Sequence, residues 1–473
     1  MGSTLLVLSV GLPWTLAVAL GLLDGRRTWV GWLAAAGLMV SFASAVLLTL
    51  RVLREGPVEV VTGGWPAGIG IVLRADVLGG VFAAVSVGVI LASLVYELFL
   101  GVRTRTFPAL VLFVAAGLSG LFLTGDVFNF YVFFEISMTA SFILTSYRER
   151  DYQVRGAFIF AVMNLLGSVV FLIAVSSLYH VTGTLEMVAI AERVGEVNSN
   201  SLVAIAAAIF VAFSLKLGLF PFHFWLPAVY VGSHAPVAAI LSGALANIGS
   251  YGLLRFGGGI LSEQLELGTF AVLALGCASI VYGALQAVSR RDTTEVLAYS
   301  AIGQVGYVLV ALAVGGAVGL AAATVYTIVN ALNKALLFLA APLRGPLVGA
   351  AFAVGAFSVA GVPPAVGFIA KLVAFDAALA AGGTVRAAVL VVVIFLGSAL
   401  SFVYMFQIYQ RAFLSKEPQE GYQDKASSRT VRTLVVALAV LALATGLWPE
   451  PLFVLGEEAA AVLAGSHDGG GSA

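Results

Sequence analysis

Residues 201–227 read SLVAIAAAIFVAFSLKLGLFPFHFWLP. The part up to Phe220 is apolar for about the 20 residues that a helix needs to cross a bilayer, which predicts a spanning helix from 201 to 221. Two features set it apart: Lys216 lies inside it and Pro221 interrupts it. A proline in a spanning helix frees the carbonyl four residues back, and that carbonyl is tolerated only where protein, a side chain or water satisfies it. The interruption therefore predicts a hydrated interior. A second one, Gly361-Val362-Pro363-Pro364, falls within the apolar run from 346 to 380.

Twelve further runs, at approximately 4–23, 29–50, 75–99, 107–125, 127–147, 156–180, 234–256, 267–288, 295–315, 318–341, 387–412 and 431–455, bring the candidate spans to fourteen. Composition agrees, since 61% of the 473 residues are hydrophobic and 10% charged, against roughly 25% charged in a soluble domain. Barrel strands would alternate over about ten residues, so the fold class is an all-α polytopic membrane protein. The first run lacks a basic leader and a cleavage site and is expected to remain as a helix. A single cysteine, Cys277, and four histidines predict no disulfide framework, metal centre or redox cofactor. Zero net charge provides no field to attract nucleic acid. No GxxxxGK[ST], GxSxG or HExxH pattern supports an ATPase, a serine hydrolase or a zincin.

The 24 Lys and Arg residues sort the loops. Fifteen fall in odd-numbered connections, among them Arg103, Arg105, Arg148, Arg150, Lys416 and Lys425, and six in even-numbered ones, such as Arg193 and Arg255. By the positive-inside rule the odd loops are cytoplasmic and both termini lie on the outer face of the cell's inner (plasma) membrane. The same alternation sends the seventh helix inward and the twelfth outward. Interrupted helices running in opposite directions, one in each half of the chain, are what an inverted repeat of a transporter would show.

Three basic residues remain inside the runs, Lys216, Lys334 and Lys371, and Glu135 joins them in the fifth. Each costs on the order of 2.5 to 3.5 kcal/mol at the membrane centre unless paired, neutral or wet. Structural ion pairs or snorkelling explain one or two such charges. Four in one chain point to proton handling, because burial drives amines and carboxylates toward their neutral forms. Lys216 lies five residues before Pro221 and Lys371 seven after Pro364, a mirrored placement about the two interruptions. Secondary relay candidates are Asn330, which shares a helix face with Lys334, together with Asn247, Ser300, Gln304 and Asn164. The alternative reading of these is helix glue. His223, beside the first interruption, and His234, opening the eighth run, either switch protonation near neutral pH or pack at an interface.

Several of these stretches resemble one family. Gly125-Asp126-Val127-Phe128-Asn129-Phe130-Tyr131-Val132-Phe133-Phe134-Glu135-Ile136, the run from Lys216 to Pro227, His234-Ala235-Pro236-Val237, and Leu297-Ala298-Tyr299-Ser300-Ala301-Ile302-Gly303-Gln304 are similar to the proton-conducting subunits shared by respiratory complex I and Mrp-type cation/proton antiporters. Asn333-Lys334-Ala335-Leu336-Leu337-Phe338 and Gly361 to Lys371 extend the likeness, which runs from about residue 60 to 412. Gly63-Gly64-Trp65-Pro66 and Gly70 to Asp76 most resemble the D subunit of Mrp antiporters. The resemblance implies helices one to three in residues 1–106, inverted five-helix repeats in 107–256 and 267–412, and a fourteenth helix with a polar tail in 413–473. It also implies that Glu135 pairs with Lys216, that Lys334 lies in a central relay and that Lys371 serves an exit half-channel.

Two positions depart from the family pattern. Asn247 stands where a lysine or histidine is usual, and Asn330 where a histidine is usual. Asparagine does not titrate near neutral pH but can anchor water, so the relay is either water-bridged or interrupted there. Three functions follow from the resemblance. The first is a proton-translocating subunit of a multisubunit Na+/proton antiporter, working with other membrane subunits. The second is a non-redox proton-pumping subunit of a complex I-like or hydrogenase-linked assembly. The third is a degenerate structural copy within such a complex.

Overall fold

Continuous apolar runs form helices because the bilayer leaves the backbone few other ways to satisfy its polar groups. The computed structural model describes residues 2–64, 70–414 and 429–468. The elements run α1 (Gly2–Gly21), α2 (Thr28–Glu55), β1 (Val58–Val61), β2 (Val72–Ala75), α3 (Val77–Leu100), α4 (Phe107–Phe122), α5 (Val127–Thr145) and α6 (Asp151–Thr182). There follow α7 (Met187–Arg193), α8 (Ser199–Leu217), α9 (Leu226–Gly232), α10 (Ala235–Ile240), α11 (Asn247–Gly252), α12 (Ser262–Leu267), α13 (Thr269–Ser289) and α14 (Thr293–Val314). The chain closes with α15 (Gly316–Ala340), α16 (Pro346–Ala360), α17 (Val366–Ala380), α18 (Thr384–Tyr409), α19 (Arg429–Leu447) and α20 (Glu450–Asp468). Wider π-turns join α10 to α11 and continue it, giving one span, Ala235–Ile260.

Among the described residues twelve helices are long and apolar enough to cross a membrane, and α4 and α16 are shorter apolar helices. The protein is thus an all-α polytopic membrane protein. Aspartates fix three of the helix starts: Asp76, Asp126 and Asp292 accept from the backbone N–H of Gly79, Asn129 and Glu295 at 2.8, 2.6 and 2.8 Å. The centre of the bundle is α3, the 235–260 span, α14 and α15, which are 89–94% buried against 22% for α19. Glycine permits the closest approach there. A Cβ on Gly283 of α13 would lie 2.4 Å from the Gly303 nitrogen of α14, so the two backbones touch.

Both interruptions are visible as helix ends. Helix α8 stops at Leu217 and is capped by Gly218 at φ +64°, and regular helix resumes only at Leu226. Helix α16 stops at Ala360 and is capped by Gly361 at φ +82°, and α17 starts at Val366. The Phe220–Pro221 and Pro363–Pro364 peptides are both cis.

Three local features differ from the sequence expectation. The hairpin of β1 and β2, with Val58 opposite Ala75 and Val61 opposite Val72, lies outside the apolar runs. Within the adjoining motif, Trp65 and Pro66 lie outside the described residues, as do Lys416, Lys425 and the glycines at 469–471. The run expected as a single last helix from 431 to 455 is two helices, divided at Trp448-Pro449. In place of a polar tail after about residue 456, α20 continues to Asp468. Its Leu452, Ala459, Ala460 and Leu463 recur at helical spacing and are buried, a stripe too sparse to register as an apolar run.

Candidate functional site

The buried amines sit where the helix geometry changes. Lys216 is the second-last residue of α8, at the edge of the first interruption. Its Nζ donates to Asn164 Oδ1 of α6 at 2.6 Å and lies 4.1 Å from the centre of the Phe134 ring. Glu135, one residue further along α5, accepts instead from the Ser168 hydroxyl of α6. Asn164 and Ser168 are four residues apart and so share one face of α6. That face carries both contacts, and no direct ion pair joins acid and amine. The direct pair implied by the resemblance is therefore replaced by a bridge across α6.

Lys371 belongs to α17, just beyond the second interruption, and its stem packs against the break itself. A Cβ on Gly361 would fall 2.7 Å from Lys371 Cγ. Its Nζ donates to Tyr307 Oη at 3.0 Å and Ser398 Oγ at 2.9 Å. Lys334 of α15, fully enclosed, approaches the Leu297 carbonyl of α14 at 3.4 Å. None of the three lysines has a carboxylate in ion-pair contact among the described residues.

Helix α14 links the last two amines. Leu297, Ser300, Gln304 and Tyr307 follow a 3-4-3 spacing, one helix face, and ten residues advance about 15 Å. Ser300 pairs with Tyr404 at 3.0 Å, and Tyr404 donates to Ser401 at 3.0 Å. Gln304 Oε1 accepts from Tyr326 at 2.6 Å, and the Tyr326 ring stacks on Tyr307 with centroids 5.1 Å apart. On α15, Tyr326, Asn330 and Lys334 recur every four residues and so share a face. Asn330 Oδ1 is buried between them along that face with no donor among the described residues, leaving an acceptor for water.

The remaining candidates separate. Asn247 donates to Ser86 Oγ at 3.0 Å and to the Gly243 carbonyl at 3.1 Å, contacts that tie the 235–260 span to α3. His223 lies between Phe220 and Tyr282, with ring centroids 5.6 and 4.3 Å away, and its Nδ1 has no partner among the described residues. His234 is elsewhere, against Glu97 and Arg148. Sequence reasoning did not single out Ser168, Tyr307, Tyr326, Ser398 or Tyr404. Tyr307 was within reach, being three residues beyond Gln304 on the face already marked by Ser300.

Interrupted helices holding lysines among neutral polar groups, within a bundle of apolar helices, define a polytopic membrane protein with buried amines at its helix breaks. The comparisons place it more narrowly. The family of NADH:quinone oxidoreductase/Mrp antiporter transmembrane subunits matches residues 124–345. The D subunit of the Na(+)/H(+) antiporter of Alkalihalophilus pseudofirmus is 32% identical over 90% of both chains. A chain of the Mrp complex from a Dietzia species superposes with a TM-score of 0.88 at 28% identity, over 97% of both chains. A chain of respiratory complex I from Thermus thermophilus gives 0.77 at 26% identity, over 94% of this chain and 98% of that one. The chain belongs to the NADH:quinone oxidoreductase/Mrp antiporter family of membrane subunits, with a likeness to the antiporter D-subunit branch.

Proposed function

We propose that this chain is the proton-translocating D-type subunit of a multisubunit Na+/proton antiporter in the plasma membrane. Three buried lysines held only by neutral acceptors carry the reading, two of them at helix interruptions and two joined by one polar face of α14. An amine without a fixed counter-charge can be emptied and refilled with a proton without breaking an ion pair. Protons would pass among Lys216, Lys334 and Lys371, with Glu135 supplying the charge that drives the first of these amines and water at Asn330. The repeats 107–256 and 267–412 would be inverted, with both termini outside. One unit charge moved through 100 mV is worth about 2.3 kcal/mol, enough for proton entry to drive sodium exit. Other membrane subunits of the complex would supply the cation path, since none of the described residues form a cluster of three or more His, Cys, Asp or Glu.

The test is cation-dependent proton flux in vesicles containing the whole complex, comparing native protein with Glu135→Gln and Lys216→Ala. The reading expects flux to fall in both while the complex still assembles. Native flux in both assembled variants would favour a structural copy.

A further inference from the structure

Glu97 of α3 is fully buried, is absent from the proton path, and has an unusual set of neighbours. Tyr147 donates to its Oε1 at 2.8 Å, and the Arg103 backbone N–H donates to Tyr147 at 2.8 Å. Its Oε2 lies 2.9 Å from His234 Nε2. The same Nε2 lies 2.7 Å from Arg148 Nη2. An arginine N–H only donates and an ionised carboxylate only accepts, so one ring nitrogen cannot satisfy both at once. Unprotonated, Nε2 accepts from Arg148 and faces Glu97 as a second acceptor. Protonated, it donates to Glu97 and confronts Arg148 with a like charge.

The cluster borders a cavity and the connection between α5 and α6. His234 is 15% exposed and stands between Glu97 and a cavity of about 380 Å³ lined by Arg148, Arg150, Gln153, His234, Asp292 and Thr293, among others. The charged or titratable groups around it are Glu97 and Tyr96 of α3, Arg103, the connection residues Tyr147, Arg148 and Arg150, Tyr152 of α6, and Asp292 at the start of α14. Arg148 lies in the short connection between α5, which carries Glu135, and α6, which carries Asn164 and Ser168. His234 immediately precedes α10, the start of the span that contains Asn247.

We propose that Glu97, His234 and Arg148 form a proton-operated latch at the mouth of this cavity, with His234 Nε2 exchanging Arg148 for Glu97 when it takes a proton from cavity water. In that step hydronium gives its proton to the Nε2 lone pair and leaves as water. The Arg148 to Nε2 hydrogen bond breaks, the new N–H donates to Glu97 Oε2, and the Arg148 guanidinium turns to the cavity. Release of Arg148 loosens the α5–α6 connection, and with it the bridge between Glu135 and Lys216. This consequence rests on the proton-path reading; the exchange of partners does not.

Hydrogen–deuterium exchange at the histidine C2 position, read by mass spectrometry on the membrane complex, follows the protonation of His234 directly. Glu97→Gln removes the acceptor of the protonated ring and is expected to lower the half-protonation pH by about one unit. Arg148→Gln removes the like charge and the donor to the neutral ring, and is expected to raise it by a similar amount. Arg148→Lys, which keeps the charge, is expected to fall between native and Arg148→Gln. An unchanged midpoint in Glu97→Gln and Arg148→Gln would overturn the latch. Transport is not needed for this measurement. If the proton-path reading alone fails, the midpoints move in opposite directions while cation-dependent flux stays native in both variants.

Discussion

At the first interruption Lys216 lies at the end of α8 beside an amide and an aromatic face, with Glu135 held one turn further along the same face of α6. At the second, Lys371 follows the break and has only hydroxyls, from Tyr307 and Ser398. The glycine caps are alike, Gly218 and Gly361 both at positive φ, yet their neighbours differ. A Cβ on Gly218 would meet Leu226, whereas one on Gly361 would meet the lysine stem. The same backbone device therefore sets up two kinds of amine. The first shares a helix face with a carboxylate, and the second has only neutral partners. That difference suits a path with a driven end and a passive end.

The largest expected effect is at the driven end. Lys216→Ala should lower cation-dependent proton flux by about a hundredfold, the scale on which loss of a proton-transfer group is felt. Glu135→Gln should cost less, about tenfold, because the amine remains and only its driving field is lost. An equal loss in both variants would mean that the acid carries protons itself, erasing the proposed division of labour.

Smaller changes probe the passive end. Tyr307→Phe removes one of two hydroxyl acceptors of Lys371 and should reduce flux a few-fold while costing about 1 kcal/mol of stability, the net worth of a hydrogen bond. The glycine caps sharpen the contrast. Gly218→Ala and Gly361→Ala should each destabilise by roughly 1 to 2 kcal/mol, because both force an L-residue into the left-handed region. Only Gly361→Ala should also reduce flux in protein that remains assembled, since only there does the added methyl displace an amine. Thermal unfolding of the complex together with the flux assay separates the two effects. Least of all should come from Asn247→Lys. The Asn247 amide nitrogen donates to both Ser86 and Gly243, so a water-bridged path gains little, whereas a large rise in flux would mean that the path is broken at this position.

Much of this contrast was legible in the sequence because insertion cost makes membrane charges conspicuous. Lys216, Lys334, Lys371 and Glu135 stood out against apolar runs, and prolines marked both interruptions. The long helices followed from hydropathy for the same reason. What escaped was the company each charge keeps. Tyr307, Tyr326 and Tyr404 look like ordinary bulk in a helix, and only packing shows that their hydroxyls line a shared face. Glu97 was hidden near the end of α3, where a carboxylate reads as a loop-proximal charge, although it is fully enclosed. The α6 bridge was unreadable because Asn164 and Ser168 acquire meaning only once α5 and α8 are placed on either side. Helix α20 was missed because its buried stripe has only two leucines, Leu452 and Leu463, with the small Ala459 and Ala460 between them, which contribute little to an apolar average.

The central claim is that an amine without an acid partner carries protons at the second interruption. Its most direct test is Lys371→Ala in the assembled complex, reconstituted in vesicles with a sodium gradient and an internal pH dye. Gradient-driven pH change is expected to fall about tenfold, toward the level of vesicles lacking the complex. Native pH change with Lys371→Ala in place would contradict it.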